Sequence, residues 1–144
     1  MTTELKFWDL IRKVLDRTVK DSLGWEKTPK SNTFQAAFPN FSVSIAEFDG
    51  PSPDSDPIYL FAIYDESGKR LDSVSDMWLA KALEPTNATS GSLMESLLRA
   101  ADQVPAGKVF DTMSTLYKEA RRTALGVDEA LDQILSSLAE SPGD

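Results

Sequence analysis

Ile58-Tyr59-Leu60-Phe61-Ala62-Ile63-Tyr64-Asp65-Glu66-Ser67-Gly68-Lys69-Arg70-Leu71-Asp72-Ser73-Val74 decides the fold. Its first seven residues are apolar toward both faces, the pattern of a central strand. Asp65-Glu66-Ser67-Gly68 has turn composition, and residues 69–74 form a shorter partner strand. A connection this short joins antiparallel strands; a parallel pair needs a crossover of a dozen residues or more.

Working upstream, residues 41–48 alternate, with Phe41, Val43 and Ile45 opposed to Ser42 and Ser44. Residues 33–38 alternate too, with Phe34, Ala36 and Phe38 on one face, and Pro39-Asn40 turns between the two. Residues 49–57 hold three prolines, which exclude a strand and indicate an exposed loop. The expectation is a four-stranded antiparallel meander over residues 33–74, with residues 25–32 as a connector.

Helices flank it. Residues 4–22 place Leu5, Phe7, Trp8, Leu10, Ile11, Val14, Leu15, Thr18 and Val19 over about 220° of arc, where a one-sided surface helix needs about 100°. Trp8, Ile11, Leu15 and Val19 are expected to face the sheet. Phe7, Leu10 and Val14, on the far side, are left for a partner or for the C-terminal helices to cover. Ser75 caps a short helix over 76–84 that ends at Pro85. Residues 93–101 read as a further short helix. Residues 108–125 are amphipathic through Val109, Met113, Leu116, Tyr117, Ala120 and Ala124, and Gly126 is the stop. Asp128 opens a last helix with Leu131, Ile134, Leu135 and Leu138 on one face. The fold class is therefore α+β, with the C-terminal helices packed on one sheet face. Residues 1–144 form one domain: 1–24 the N-terminal helix, 33–74 the sheet, 75–140 the helical part, 141–144 a frayed tail.

The 144 residues include no histidine and no cysteine. That removes the commonest general base, the thiol nucleophile, zinc sites built on those residues, and disulfides. No phosphate loop and no dinucleotide fingerprint is present. The formal net charge is -8, so phosphate backbones and anionic membranes repel the chain and a basic protein partner is favoured. No apolar run reaches the roughly 20 residues of a membrane span, and the first residues lack a signal peptide's apolar region, so a cytoplasmic location is expected.

Three clusters carry the remaining chemistry. Asp49, Asp54 and Asp56 share one loop and could offer oxygen ligands to calcium, but they lack the glycine and closing glutamate of a calcium loop, so no metal is expected. Pro53-Asp54, the following strand, Glu66 and Lys69 echo the order of a metal-dependent nuclease, although Glu66 and Lys69 are three apart instead of alternating on one strand face. Trp78 sits on a helix too short to bury it and belongs to a residue type enriched in binding hot spots.

Leu116-Tyr117-Lys118-Glu119-Ala120-Arg121-Arg122 and Ala124-Leu125-Gly126-Val127-Asp128-Glu129-Ala130-Leu131, with Thr33-Phe34-Gln35-Ala36 and the Tyr64 to Gly68 hairpin, resemble small bacterial α+β proteins of unassigned function. The resemblance implies a bacterial accessory protein and transfers no functional residue. The expected function is non-catalytic: an acidic adaptor, immunity-type inhibitor or accessory subunit that binds a protein, with no cofactor. Phe7, Leu10, Val14 and Trp78 are its expected contacts, and a second copy of the chain is a further candidate partner. The alternatives are a small metal-dependent hydrolase using Asp54, Glu66 and Lys69, and an acidic nucleic-acid mimic.

Overall fold

The computed structural model describes residues 2–20, 22–83 and 106–140. The order is α1 (Thr3–Val19), β1 (Trp25–Lys27), β2 (Thr33–Ala37), β3 (Phe41–Phe48), β4 (Ile58–Asp65), β5 (Arg70–Ser75), α2 (Asp76–Ala82), α3 (Ala106–Leu125) and α4 (Val127–Glu140). The fold is α+β. The sheet is an antiparallel meander of five strands in sequence order, one more than the alternation predicts. The extra strand is β1, whose Trp25, Glu26 and Lys27 pair with Ala36, Gln35 and Phe34. Three residues with one apolar side chain leave no alternation to read, so this segment passes for a connector. The expected helix over 93–101 lies outside the described residues.

Register builds the core. Phe34, Ile45, Phe61 and Val74 sit opposite one another across β2 to β5, and all four are buried. The alternate row, Gln35, Ser44, Ala62 and Ser73, points to the other face, where small and polar side chains predominate. Gln35 Nε2 donates to Ser42 Oγ at 3.0 Å, and the Ser44 and Tyr64 hydroxyls bond at 3.0 Å. Phe41, predicted to share the core face, is exposed at the start of β3.

Helices α1, α2 and α3 close the apolar face. In α3, Val109, Met113, Leu116 and Ala120 are fully buried, and the helix packs on β1, β2, β3 and β4 as well as on α1 and α2. Aromatic rings fill the interface: Tyr59 lies 5.6 Å from Phe110 and 5.7 Å from Tyr117, and Phe34 lies 5.6 Å from Tyr117.

The wide apolar arc of α1 is covered within the chain. Phe7 and Val14 are 6% and 3% exposed, and Leu10 packs half-buried against the same core. Phe7 meets Phe61 of the sheet edge-to-face at 6.5 Å, while α3 packs along α1. A helix wedged between a sheet and another helix needs two apolar sides, which accounts for the arc. Phe7, Leu10 and Val14 are therefore core residues, a correction to their reading as partner contacts. Val19, expected against the sheet, is exposed at the end of the helix. The polar groups in the arc are also accounted for. Thr18 Oγ1 donates to the Val14 carbonyl at 2.7 Å and accepts from Trp25 Nε1 at 2.9 Å, tying α1 to β1. The Arg12 guanidinium lies 5.5 Å from the Trp8 ring.

Candidate protein-docking surface

Helix α4 is the least covered element. Gly126 has φ +66, a left-handed conformation that glycine adopts without strain, and it breaks the path between α3 and α4. Beyond the break, Leu131, Ile134, Leu135 and Leu138 share one face, as expected, and are 51–67% exposed. The helix packs chiefly on the end of α3, not on the sheet. The expectation that both C-terminal helices lie on the sheet is thus correct for α3 and wrong for α4. The physical reason is area: α1, α2 and α3 already occupy the apolar sheet face.

The stripe spans 100° of the helix and is wide enough to seat in a groove. Acidic residues adjoin it. Asp128, Glu129, Asp132 and Glu140 lie on this helix, which has no lysine and no arginine. Scattered exposed leucines are ordinary; here four of the exposed apolar side chains share one stripe on one helix.

Trp78 is 50% exposed on α2, beside the more exposed Met77. Ser75 Oγ caps that helix by accepting from the Trp78 amide at 3.1 Å. Buried Asp76 and Leu79, three residues apart, hold one side of α2 to the core and leave Met77 and Trp78 between them outward. Next to Met77, an open groove of about 660 Å³ is lined by Pro51, Pro57, Ile58, Ala80 and Phe110 among others.

The carboxylate clusters do not assemble. Among the described residues no group of three acidic side chains is placed to hold a metal. The loop carrying Asp49, Asp54 and Asp56 closes on itself: Ser52 and Ser55 hydroxyls bond at 2.7 Å, and a Cβ on Gly50 would collide with Ser55 and the Asp56 carbonyl. Asp54 precedes β4, whereas Glu66 and Lys69 follow it, and an eight-residue strand separates its ends by ~23 Å. The expected hydrolase set of Asp54, Glu66 and Lys69 is therefore not one site. The hairpin acid nearest Lys69 is used structurally. Asp65 accepts from the Ser67 hydroxyl at 2.6 Å and from the Ser67 and Lys69 amides at 2.9 Å, and these bonds, the hydroxyl first, hold its carboxyl below the usual range.

One buried polar cluster escaped the sequence reading. The Tyr59 hydroxyl donates to Glu47 at 2.8 Å and bonds the Ser114 hydroxyl of α3 at 3.2 Å. Burial, opposed by Ser114 and reinforced by Glu47, pushes the Tyr59 phenol up to about 12. The tyrosine is thus held protonated as a structural donor. Nearby, Asp76 is buried and accepts from the Tyr59 amide at 2.8 Å, fastening α2 to β4. Nothing in the spacing of Glu47, Tyr59, Asp76 and Ser114 signals that they meet.

Among the described residues no helix is long and apolar enough to cross a membrane. No protein-family model, no curated protein and no solved structure matches this chain.

Proposed function

We propose that the chain is a non-catalytic, acidic protein-interaction module, of the adaptor, immunity-type inhibitor or accessory-subunit kind, and that α4 is its docking element. The observation that carries this reading is the stripe of Leu131, Ile134, Leu135 and Leu138, which no described element buries. An amphipathic helix gains most of its stability by packing its apolar face, so a helix of this pattern is built to be covered. Trp78 and Met77 on α2 offer a second, smaller apolar contact.

A photo-reactive phenylalanine analogue at position 134 tests the reading in cells that express the protein. A single discrete cross-linked product, lost when Leu135→Glu is added, is the expected result. A chain that yields no adduct from position 134 overturns it.

A further inference from the structure

We infer that the partner of α4 presents an apolar groove with one basic rim, and that it is not a second copy of this chain. The inference rests on the docking reading above and adds the chemistry of the partner. The two borders of the stripe differ. At 100° per residue, Asp128 and Asp132 lie just beyond Leu135 on one side, and Ala130 and Ser137 lie beyond Ile134 on the other. A groove that accepts the leucines must therefore meet carboxylates along one rim and small, neutral side chains along the other. Carboxylates brought to the edge of a dry interface require cationic or hydrogen-bonding partners there, because the helix supplies no base of its own.

The same asymmetry disfavours self-association. Two antiparallel copies related by a two-fold axis through the middle of the stripe juxtapose identical flanks, so the Asp132 carboxylates of both copies lie on the same side of the pair, ~8 Å apart along it. Like charges on adjoining flanks of a helix pair repel and disfavour that pairing. A parallel pair avoids that contact but brings two domains of formal net charge -8 side by side. Area argues in the same direction. A helix of 14 residues is ~21 Å long, and four large apolar side chains cover well under the ~800 Å² per partner of a standard interface. A partner that wraps the helix in a groove covers more of it than a second identical helix can.

The test uses the full-length protein and two helix-forming peptides of 14 residues with the same leucine pattern. One carries lysine at every polar position, the other glutamate. Calorimetric titration at low and high salt should show the lysine peptide binding at least tenfold tighter than the glutamate peptide, with the difference shrinking at high salt. Leu135→Glu should abolish binding although it adds negative charge, and D128N with D132N should weaken the lysine peptide about tenfold and narrow its advantage over the glutamate peptide, whose repulsion is relieved. Circular dichroism confirms that each variant is folded. Equal binding of the two peptides, lost with Leu135→Glu, overturns the basic rim and leaves the docking reading standing. Undiminished binding of the lysine peptide by Leu135→Glu, or no binding of either peptide, overturns both. A dimer in light scattering that Leu135→Glu converts to monomer overturns the exclusion of a second copy while supporting α4 as a docking element.

Discussion

Helices α3 and α4 follow one another across a single glycine and have equally clear apolar faces, yet they end in opposite environments. The face of α3, Val109, Met113, Leu116 and Ala120, has no solvent exposure at all. The face of α4, Leu131, Ile134, Leu135 and Leu138, is mostly in water. Amphipathicity states that a face will be buried; it does not state by what. The α3 face is narrow and carries Tyr117 and Phe110 beside it, whose rings pack against Phe34 and Tyr59 of the sheet and seat the helix there. The α4 face is leucine and isoleucine throughout, and the sheet surface that could have received it is already occupied.

The contrast can be broken most sharply by one change made twice. Leu116→Glu places a charge at a position with no solvent access, which costs several kcal/mol, about the whole stability of a small domain. Leu135→Glu, on a residue 62% exposed, should change unfolding free energy by about 0.5 kcal/mol or less. Urea titrations followed by circular dichroism should show Leu116→Glu largely unfolded without denaturant and Leu135→Glu with an unchanged midpoint. Equal destabilisation by the two would mean that α4 belongs to the core.

The strands were legible wherever alternation or a turn marked them. The β2 to β5 meander follows from residues 33–38, 41–48 and the 58–74 hairpin, and α1 and α3 follow from their periodicity. The β1 strand was not legible, because pairing of Trp25 with Ala36 is a tertiary fact with no local pattern. The reading of Phe7, Leu10 and Val14 as partner contacts failed for a related reason. A 220° arc on α1 is compatible with a buried wedge or with a free side, and the choice depends on whether α3 lies along α1 or elsewhere. Phe7 and Val14 are covered because it does lie there. The signal for α4 was present in Leu131, Ile134, Leu135 and Leu138, but nothing in the sequence counts how many apolar faces one sheet can accept.

A second difference between the helices is polar. Ser114 fastens α3 to the sheet through Tyr59, and α3 also carries Tyr117, which burial, assisted by Glu47 and opposed by Arg121, pushes above its ordinary value. Both phenols titrate higher in the folded chain than in the unfolded one. Their contribution is therefore complete below pH 10, the ordinary tyrosine value, and is lost as pH rises toward the Tyr59 value of about 12. Stability should fall between pH 10 and 12, and Tyr59→Phe should flatten that fall while lowering stability at neutral pH by about 1–2 kcal/mol through the stranded Glu47 and Ser114 groups. An unchanged alkaline slope in Tyr59→Phe would remove this cluster as a clamp on α3. The α4 variant Leu135→Glu should follow the wild-type pH curve.

The smallest effect concerns the glycine that separates the two helices. Gly126 (φ +66) and Gly68 (φ +87) both hold a left-handed conformation, and at both a Cβ would meet no atom within 4 Å. Alanine at either position therefore brings backbone strain, about 1 kcal/mol, and no collision. Whether that strain reaches the global unfolding equilibrium depends on what holds the backbone in place. Gly68 closes the β4–β5 turn, where its amide donates to the Asp65 carbonyl at 3.0 Å and the Asp65 amide donates to the Lys69 carbonyl at 2.9 Å. Relaxing it would disturb the ladder between β4 and β5, which carries the buried Phe61–Val74 pair, so Gly68→Ala should lower stability by the full ~1 kcal/mol. Gly126 is held by a turn bond from its amide to the Thr123 carbonyl at 3.2 Å, and beyond it lies a helix with no seat on the sheet. Gly126→Ala can relax by swinging α4 without moving Leu116 or Ala120, so its cost in urea should be a few tenths of a kcal/mol. In the complex with a partner the order should reverse. The groove fixes the direction of α4, the left-handed strain can no longer escape, and Gly126→Ala should weaken binding by about fivefold, the equivalent of ~1 kcal/mol, while Gly68→Ala leaves binding unchanged. A Gly126→Ala protein as destabilised as Gly68→Ala in isolation would show that α4 is anchored to the domain and that the two helices differ less than their exposure implies.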